Sequence, residues 1–409
     1  MRRCAILLLF AGFSFPAMAS KSLPVEEFEE LLAKLQNKPD ARVAQELADV
    51  ELTERVSLER LTQWEKSFPG AKSHEALMRL ADSAAFLKTP ALDLLRIAPP
   101  DNDTQEKMLA LASDYVKTSM TRLPNLSASR ETTHFEDAAA AGSAAEWHIG
   151  SLGISPGKTE SKPLHGTGSS VSTVTYRNGK EVPAEERAIH SENRPPTGLT
   201  TSGEFGPVLA VVIGDVVRNQ VTWSHWEQSS GDPMAVLTYA VPEDHSNFEV
   251  QIPVGARIEN VYPAYHGEIA IDPATGGILR LTVVADLMGP YQSMQAAIVV
   301  EYAPVAIEDR TCICPVHGVA LSRIPTPGAA QGEHGGAMQT QMNDVEFTHY
   351  HLFGSEARII AGDEGHAGQP TPPANANATP EGSPPDSHQV VSPAATVPPA
   401  VPATAPPKP

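Results

Sequence analysis

The residues best placed to do chemistry lie in "TCICPVHG", residues 311 to 318, where Cys312 and Cys314 stand two apart and His317 follows. In an extended strand two such α-carbons are about 6.7 Å apart. That is the outer limit for a disulfide, and the β-carbons are too far apart without a bend. A bond there needs a kink near Pro315 and would be strained and easily reduced. Two thiolates with His317 could also begin a zinc or copper(I) site. His334, Met338, Met342, His349 and His351 follow, but none stands at a recognised ligand spacing. The favoured expectation is inert, buried cysteines, because free cysteine is among the most buried residue types. Cys312, Cys314 and His317 remain the only thiol or metal candidates, and no cofactor is called for.

A second constellation is "TWSHWEQ", where His225 and Glu227 share a strand face and could act as a general base. An aromatic sheet face with cross-strand packing is the favoured expectation. The chain has no G-x-S-x-G, H-E-x-x-H, phosphate-loop or dinucleotide motif, so no catalytic residue is assigned. "LHGTGSS" is glycine-rich but precedes a hairpin and not a helix.

The elements that position these residues follow from periodicity. Residues 1–19 read as a signal peptide: Arg2 and Arg3, an apolar run from Cys4 to Phe15, then Ala17-Met18-Ala19. Residues 20–125 read as five amphipathic helices. Phe28, Leu31, Leu32 and Leu35 mark the first, and Val43, Leu47 and Val50 the second. Leu58, Leu61, Trp64 and Phe68 mark the third; Leu77, Leu80, Ala84 and Leu87 the fourth. Asp103 and Glu106 resemble a capping box for the fifth. Residues 126–362 turn to strands, with a long loop at about 138–168 and an Asn178-Gly179 hairpin turn. Val208 to Val217 forms one apolar block, interrupted only by Gly214 and Asp215, which predicts a buried helix. Residues 363–409 are proline-rich with few large apolar side chains, and predict a disordered tail.

Composition narrows the function. The formal charge is -19, and loss of Arg2 and Arg3 takes it to -21. Such a chain repels phosphate backbones, so nucleic acid is not an expected partner. Only Cys312 and Cys314 remain after cleavage, so no disulfide framework holds the fold.

At "YHGEIAIDPATGGILRLTVVADL", followed by "AAIVVEYAPVAIEDRTCICPVHGVAL", the pattern resembles the sheet of the periplasmic outer-membrane lipoprotein carriers. The matching residues are Gly267, Ile269, Ile271, Asp272, Pro273, Thr275, Gly276, Arg280 and Leu281. Val300, Tyr302, Cys314, Pro315 and Val316 complete the match. With its helical front the chain also looks like a group of uncharacterised secreted bacterial proteins. The resemblance implies an α+β fold: an N-terminal helical region, then an antiparallel, unclosed β-barrel wrapped over a helix. It carries over no ligand-binding residue. The expectation is a periplasmic or secreted, non-enzymatic binding or scaffolding protein, holding an apolar (lipid-like) ligand or a partner segment. Its expected partners are a lipid or an envelope protein, with the oligomeric state open. The alternatives are a metal- or thiol-dependent redox protein centred on Cys312 and Cys314, and an envelope structural protein with a wall-reaching tail.

Overall fold

The helical front begins where the sequence places it. In the computed structural model, α1 (Val25–Leu35), α2 (Asp40–Ala48), α3 (Leu58–Ser67), α4 (Ala71–Ser83) and α5 (Asn102–Arg122) match the five amphipathic segments. The structure describes residues 21–137, 148–150, 153–155, 164–177, 180–182, 187–190, 199, 207–229, 231–254, 257–325 and 338–352. All of these lie in one compact unit, Met1–Ser355; a second unit, Glu356–Pro409, falls outside the described residues. The expected signal peptide, the Asn178-Gly179 turn and the proline-rich tail also fall outside them.

Phe28, Leu32, Leu47, Leu61, Trp64, Leu77 and Leu80 form one core among α1–α4, with Phe28 edge-on to Trp64 at 5.0 Å between ring centroids. Three details differ from the periodicity. α4 ends at Ser83, which leaves Leu87 beyond the helix and exposed. α2 stops at Ala48, and Val50–Leu52 runs as a strand, parallel to Lys21–Leu23. Val50 therefore reaches the same core from a strand. The α5 cap is Asp101, whose side chain accepts from Thr104 N at 2.8 Å, so Asp103 lies inside the first turn. Either aspartate satisfies the pattern of a carboxylate three residues before a free N–H; the structure uses the earlier one.

The strands form one large antiparallel sheet that does not close into a barrel. Its long strands are β1 (Leu126–Glu136), β2 (His165–Arg177), β3 (Gln220–Glu227), β4 (Met234–Val241) and β5 (Ala264–Ile271). β6 (Ile278–Asp286), β7 (Gln295–Ile307), β8 (Arg310–Pro325) and β9 (Met338–Leu352) complete them. The spatial order is β2-β1-β9-β8-β7-β6-β5-β4-β3, with Lys180–Val182 and Arg187–His190 pairing on β2. β2 begins at His165, opposite Glu136, inside the stretch expected to be loop. Val250–Val254 and Arg257–Val261 make a separate two-stranded ribbon.

The turn between β5 and β6 shows why its residues are what they are. Asp272 accepts from Ala274 N and Thr275 Oγ1, and Gly276 adopts φ 76°. A Cβ on Gly276 would lie 2.5 Å from the Leu111 carbonyl oxygen, so the turn can press against α5 only with glycine there. A register shift at Ala270/Ile271 brings Ile278 onto the buried face with Leu281 and Val283 and leaves Leu279 half-buried.

Helices cover both faces. α6 (Pro207–Val216), the predicted apolar helix, buries Leu209, Val212, Ile213 and Val216. With Met108, Ala112 and Val116 of α5 they pack on Ile269, Leu281, Val283, Ile298 and Val300. Each such Leu, Ile, Val or Met side chain contributes about 1.5–3 kcal/mol over leaving it in water, an upper figure for a fully extended reference chain. α5 thus shares the sheet's core, not that of α1–α4. On the opposite face, Met78 of α4 packs with Phe135, Val299, Val319 and Met342.

Candidate functional site

The face beneath α4 carries a transverse row of ionisable residues. Cross-strand pairing sets Arg280 (β6) opposite Glu301 (β7), Glu301 opposite His317 (β8), His317 opposite Glu346 (β9), and Glu346 opposite Glu131 (β1). Neighbours in such a row sit about 4.5–5.5 Å apart at Cβ. The row divides into three parts.

At one end Glu227 of β3 is held by two buried guanidiniums. Arg280 donates to both carboxylate oxygens at 3.0 and 2.8 Å, and Arg55 donates to Oε1 at 2.5 Å. Thr89 Oγ1 and His225 Nε2 each lie 3.4 Å from Oε2. Burial alone would raise the Glu227 pKa. The hydrogen bonds of His225 and Arg280 and the charges of Arg280 and Arg55 override it and hold the carboxyl far below its usual range. Residues 93–95 clip this arrangement to the sheet edge, with Leu95 N donating to Trp226 O and Gln228 N to Asp93 O.

At the centre lies His317, 8% exposed. Its Nε2 is 2.8 Å from Asp344 Oδ2 and 3.5 Å from Asp82 Oδ1 of α4, and its Nδ1 is 3.3 Å from Glu301 Oε2. Burial disfavours the imidazolium, but hydrogen bonds to Asp344, Asp82 and Glu301 outweigh it and raise the pKa well above the ordinary imidazole value. Asp82 moves the same way for another reason: burial first, then the charge of Asp344, push its carboxyl well up. A cavity of about 20 Å³ touches Asp82, Glu301, His317, Arg55 and Arg280. That is room for a single water.

At the far end an open cleft of about 420 Å³ runs between α4 and the sheet. It is lined by His74, Glu75, Met78, Glu131 and Glu346, with the buried Asp344 at its edge. Glu131 and Glu346 oppose each other directly, an arrangement of like charges that destabilises a sheet. Burial, then the nearby Asp344, raises the Glu346 pKa.

The structure keeps Cys312 and Cys314 beside one cluster and sets His317 apart from them. Cys314 packs with Leu126, Val174, Val345 and Phe347, while His317 bonds Asp344. Val345 and Asp344 are consecutive in a strand and so face opposite ways. A register shift between Glu301 and Tyr302 falls between the two ends of the motif. Both thiols are free, and Cys314 is fully buried. Burial first, and then Cys312, push the Cys314 thiol up to about 12. Since the thiolate is the nucleophile, Cys314 is expected to resist iodoacetamide at pH 8 in the native chain and to react once guanidinium unfolds it. Mass spectrometry reads the difference; rapid native labelling of Cys314 would contradict the geometry.

The second constellation is also rearranged. A bulge at Ser224 places Trp223 and His225 on opposite faces, so Trp223 meets Trp226 edge-on at 4.9 Å. His225 and Glu227 stay together, but Glu227 is committed to Arg55 and Arg280. Of the other residues weighed with the cysteines, Met342 is core, and His349 and His351 flank a break in the β9 register. His334 lies outside the described residues.

Sequence reading missed Arg55, Asp82, Glu301 and Asp344, and took Arg280 only as part of a fold pattern. The available signal was a charge inside an apolar register: Asp82 in "LMRLADSAA", Arg280 in "ILRLTVV", Asp344 in "MNDVEF". Comparison of the chain with known protein families, curated proteins and solved structures finds no match.

Proposed function

We propose that this chain is an exported, non-enzymatic binding or scaffolding protein whose working surface is the acidic cleft beside α4, and whose occupant is a cationic segment of a partner protein. The observation that carries this reading is the Glu131–Glu346 opposition on the cleft floor, with Glu75 on its wall. An arriving lysine or arginine relieves that repulsion, which gives the segment an electrostatic reason to bind there. The overall acidity adds long-range attraction. Export rests on the Arg2-Arg3, apolar run and Ala17-Met18-Ala19 sequence.

The carrier-like half-barrel remains the finer reading of the sheet, with α5 and α6 as the helices it wraps. A lipid in that trough draws less support, because side chains of α5 and α6 occupy the face that acyl chains would need. The thiol-centred alternative draws less as well, since the cysteines and His317 diverge.

The test is fluorescence anisotropy with a lysine- and arginine-rich decapeptide and a glutamate-rich control. The basic peptide is expected to bind, more weakly as salt screens the charges. A Glu75→Gln/Glu131→Gln/Glu346→Gln variant is expected to bind about tenfold more weakly, three ion pairs at roughly 0.5 kcal/mol each. Equal binding of the two peptides, or no loss in the variant, would sink the cleft reading.

A further inference from the structure

The centre of the row is built like a ligand set. Asp82, His317 and Asp344 are 1%, 8% and 2% exposed, and one donor atom from each lies within 4.8 Å of the others. A first-row ion about 2.0–2.2 Å from nitrogen and oxygen donors sets neighbouring donors about 2.9–3.4 Å apart. The separations from His317 Nε2, 2.8 and 3.5 Å, bracket that range. Asp82 Oδ2 is buried and has no hydrogen-bond partner among the described residues. An orphaned, buried carboxylate oxygen beside two other donors needs an explanation. Glu301 at His317 Nδ1 supplies the outer carboxylate that fixes ring orientation and raises ligand basicity in histidine metal sites.

Charge points the same way. Asp82, Glu227, Glu301 and Asp344 surround a region where Arg55 and Arg280 are the fixed cations. A divalent ion that displaces one proton from His317 and one from Asp82 leaves the charge of this region balanced.

We infer that Asp82, His317 and Asp344 bind a divalent first-row transition ion of the zinc–manganese class, with Glu301 as the positioning carboxylate. The mixed imidazole and carboxylate donors suit that class better than calcium, which takes six to eight oxygens, or copper(I), which prefers sulfur. The adjoining cavity has room for one water as a further ligand. The ion ties α4 to β8 and β9, so its role is to fix the helical layer on the sheet. This inference does not depend on the cleft reading: the cleft variant above leaves all three ligands in place.

The test uses the full chain, stripped by chelator and then loaded separately with zinc, manganese, magnesium or calcium chloride. Elemental analysis after gel filtration is expected to give one zinc or manganese per chain, with a rise in melting temperature that grows with ion concentration. Asp82→Asn and Asp344→Asn are expected to weaken binding at least 100-fold, and Glu301→Gln about 10–100-fold. Glu301→Gln keeps every ligand and so decides the matter if the aspartate variants do not fold. A folded wild type that retains no ion, retention by both aspartate variants, an unchanged Glu301→Gln, or loading by magnesium or calcium alone would each overturn it.

Discussion

Replacing Glu227 by glutamine is expected to destabilise the protein by about 3–5 kcal/mol, enough to unfold a marginal chain. The side chain keeps its shape, so packing is nearly unchanged. What changes is that Arg55 and Arg280, 5% and 3% exposed, lose the carboxylate that neutralises them. A buried guanidinium cannot shed its proton, so the desolvation cost stays. Denaturant unfolding of both proteins reads the effect. The contrasting variant is Arg55→Met/Glu227→Leu/Arg280→Met, which removes all three charges. It is expected to be milder than the single change, because apolar replacement of a complete buried ion set is often near neutral. If the triple variant is much the worse, the charges are contributing net stability and the reasoning fails.

The same group predicts acid sensitivity. The folded pKa of Glu227 lies below its unfolded value of about 4.3. The unfolded chain therefore binds the proton more readily. The contribution is fully present above that unfolded value and is lost as pH falls through the lower folded one. Wild-type stability should fall below about pH 4, and the Glu227→Gln protein should lack that component of the slope.

Gly267→Ala is the second large effect, expected at about 3 kcal/mol, the upper end of overpacking costs. A Cβ there would lie 1.9 Å from the Thr282 carbonyl oxygen and 2.9 Å from the Tyr239 hydroxyl. The obstacle is backbone, which cannot swing aside. Tyr239 donates to that same Thr282 oxygen at 2.7 Å, so a displaced β6 also loses a buried hydrogen bond. A midpoint shift in urea with unchanged slope would confirm a native-state effect. A variant within 0.5 kcal/mol of wild type would show, by the usual size of harmless surface changes, that β5 and β6 can separate there.

The periodicity of the sequence by itself determined the elements. The five helical stripes, the apolar helix at Val208–Val217, the hairpins and the glycine turn at Gly276 are local: each depends on residues a few positions apart. Asp272, Thr275 and Gly276 carry their turn chemistry within one loop. The charge also followed from composition alone.

Only the tertiary structure decided the site. Arg55, Asp82, Glu227, Arg280, Glu301, His317 and Asp344 come from a loop, a helix and five strands, and no spacing links them. They meet because antiparallel pairing aligns β6, β7, β8 and β9 so that the ionisable positions form one row, and because α4 lies over that row. Single-residue bulges decided the rest. One at Ser224 parted Trp223 from His225, and another falls between Cys314 and His317. A strand's side chains alternate with period two, so one extra residue reverses every position beyond it, and nothing local in the sequence marks where that residue falls.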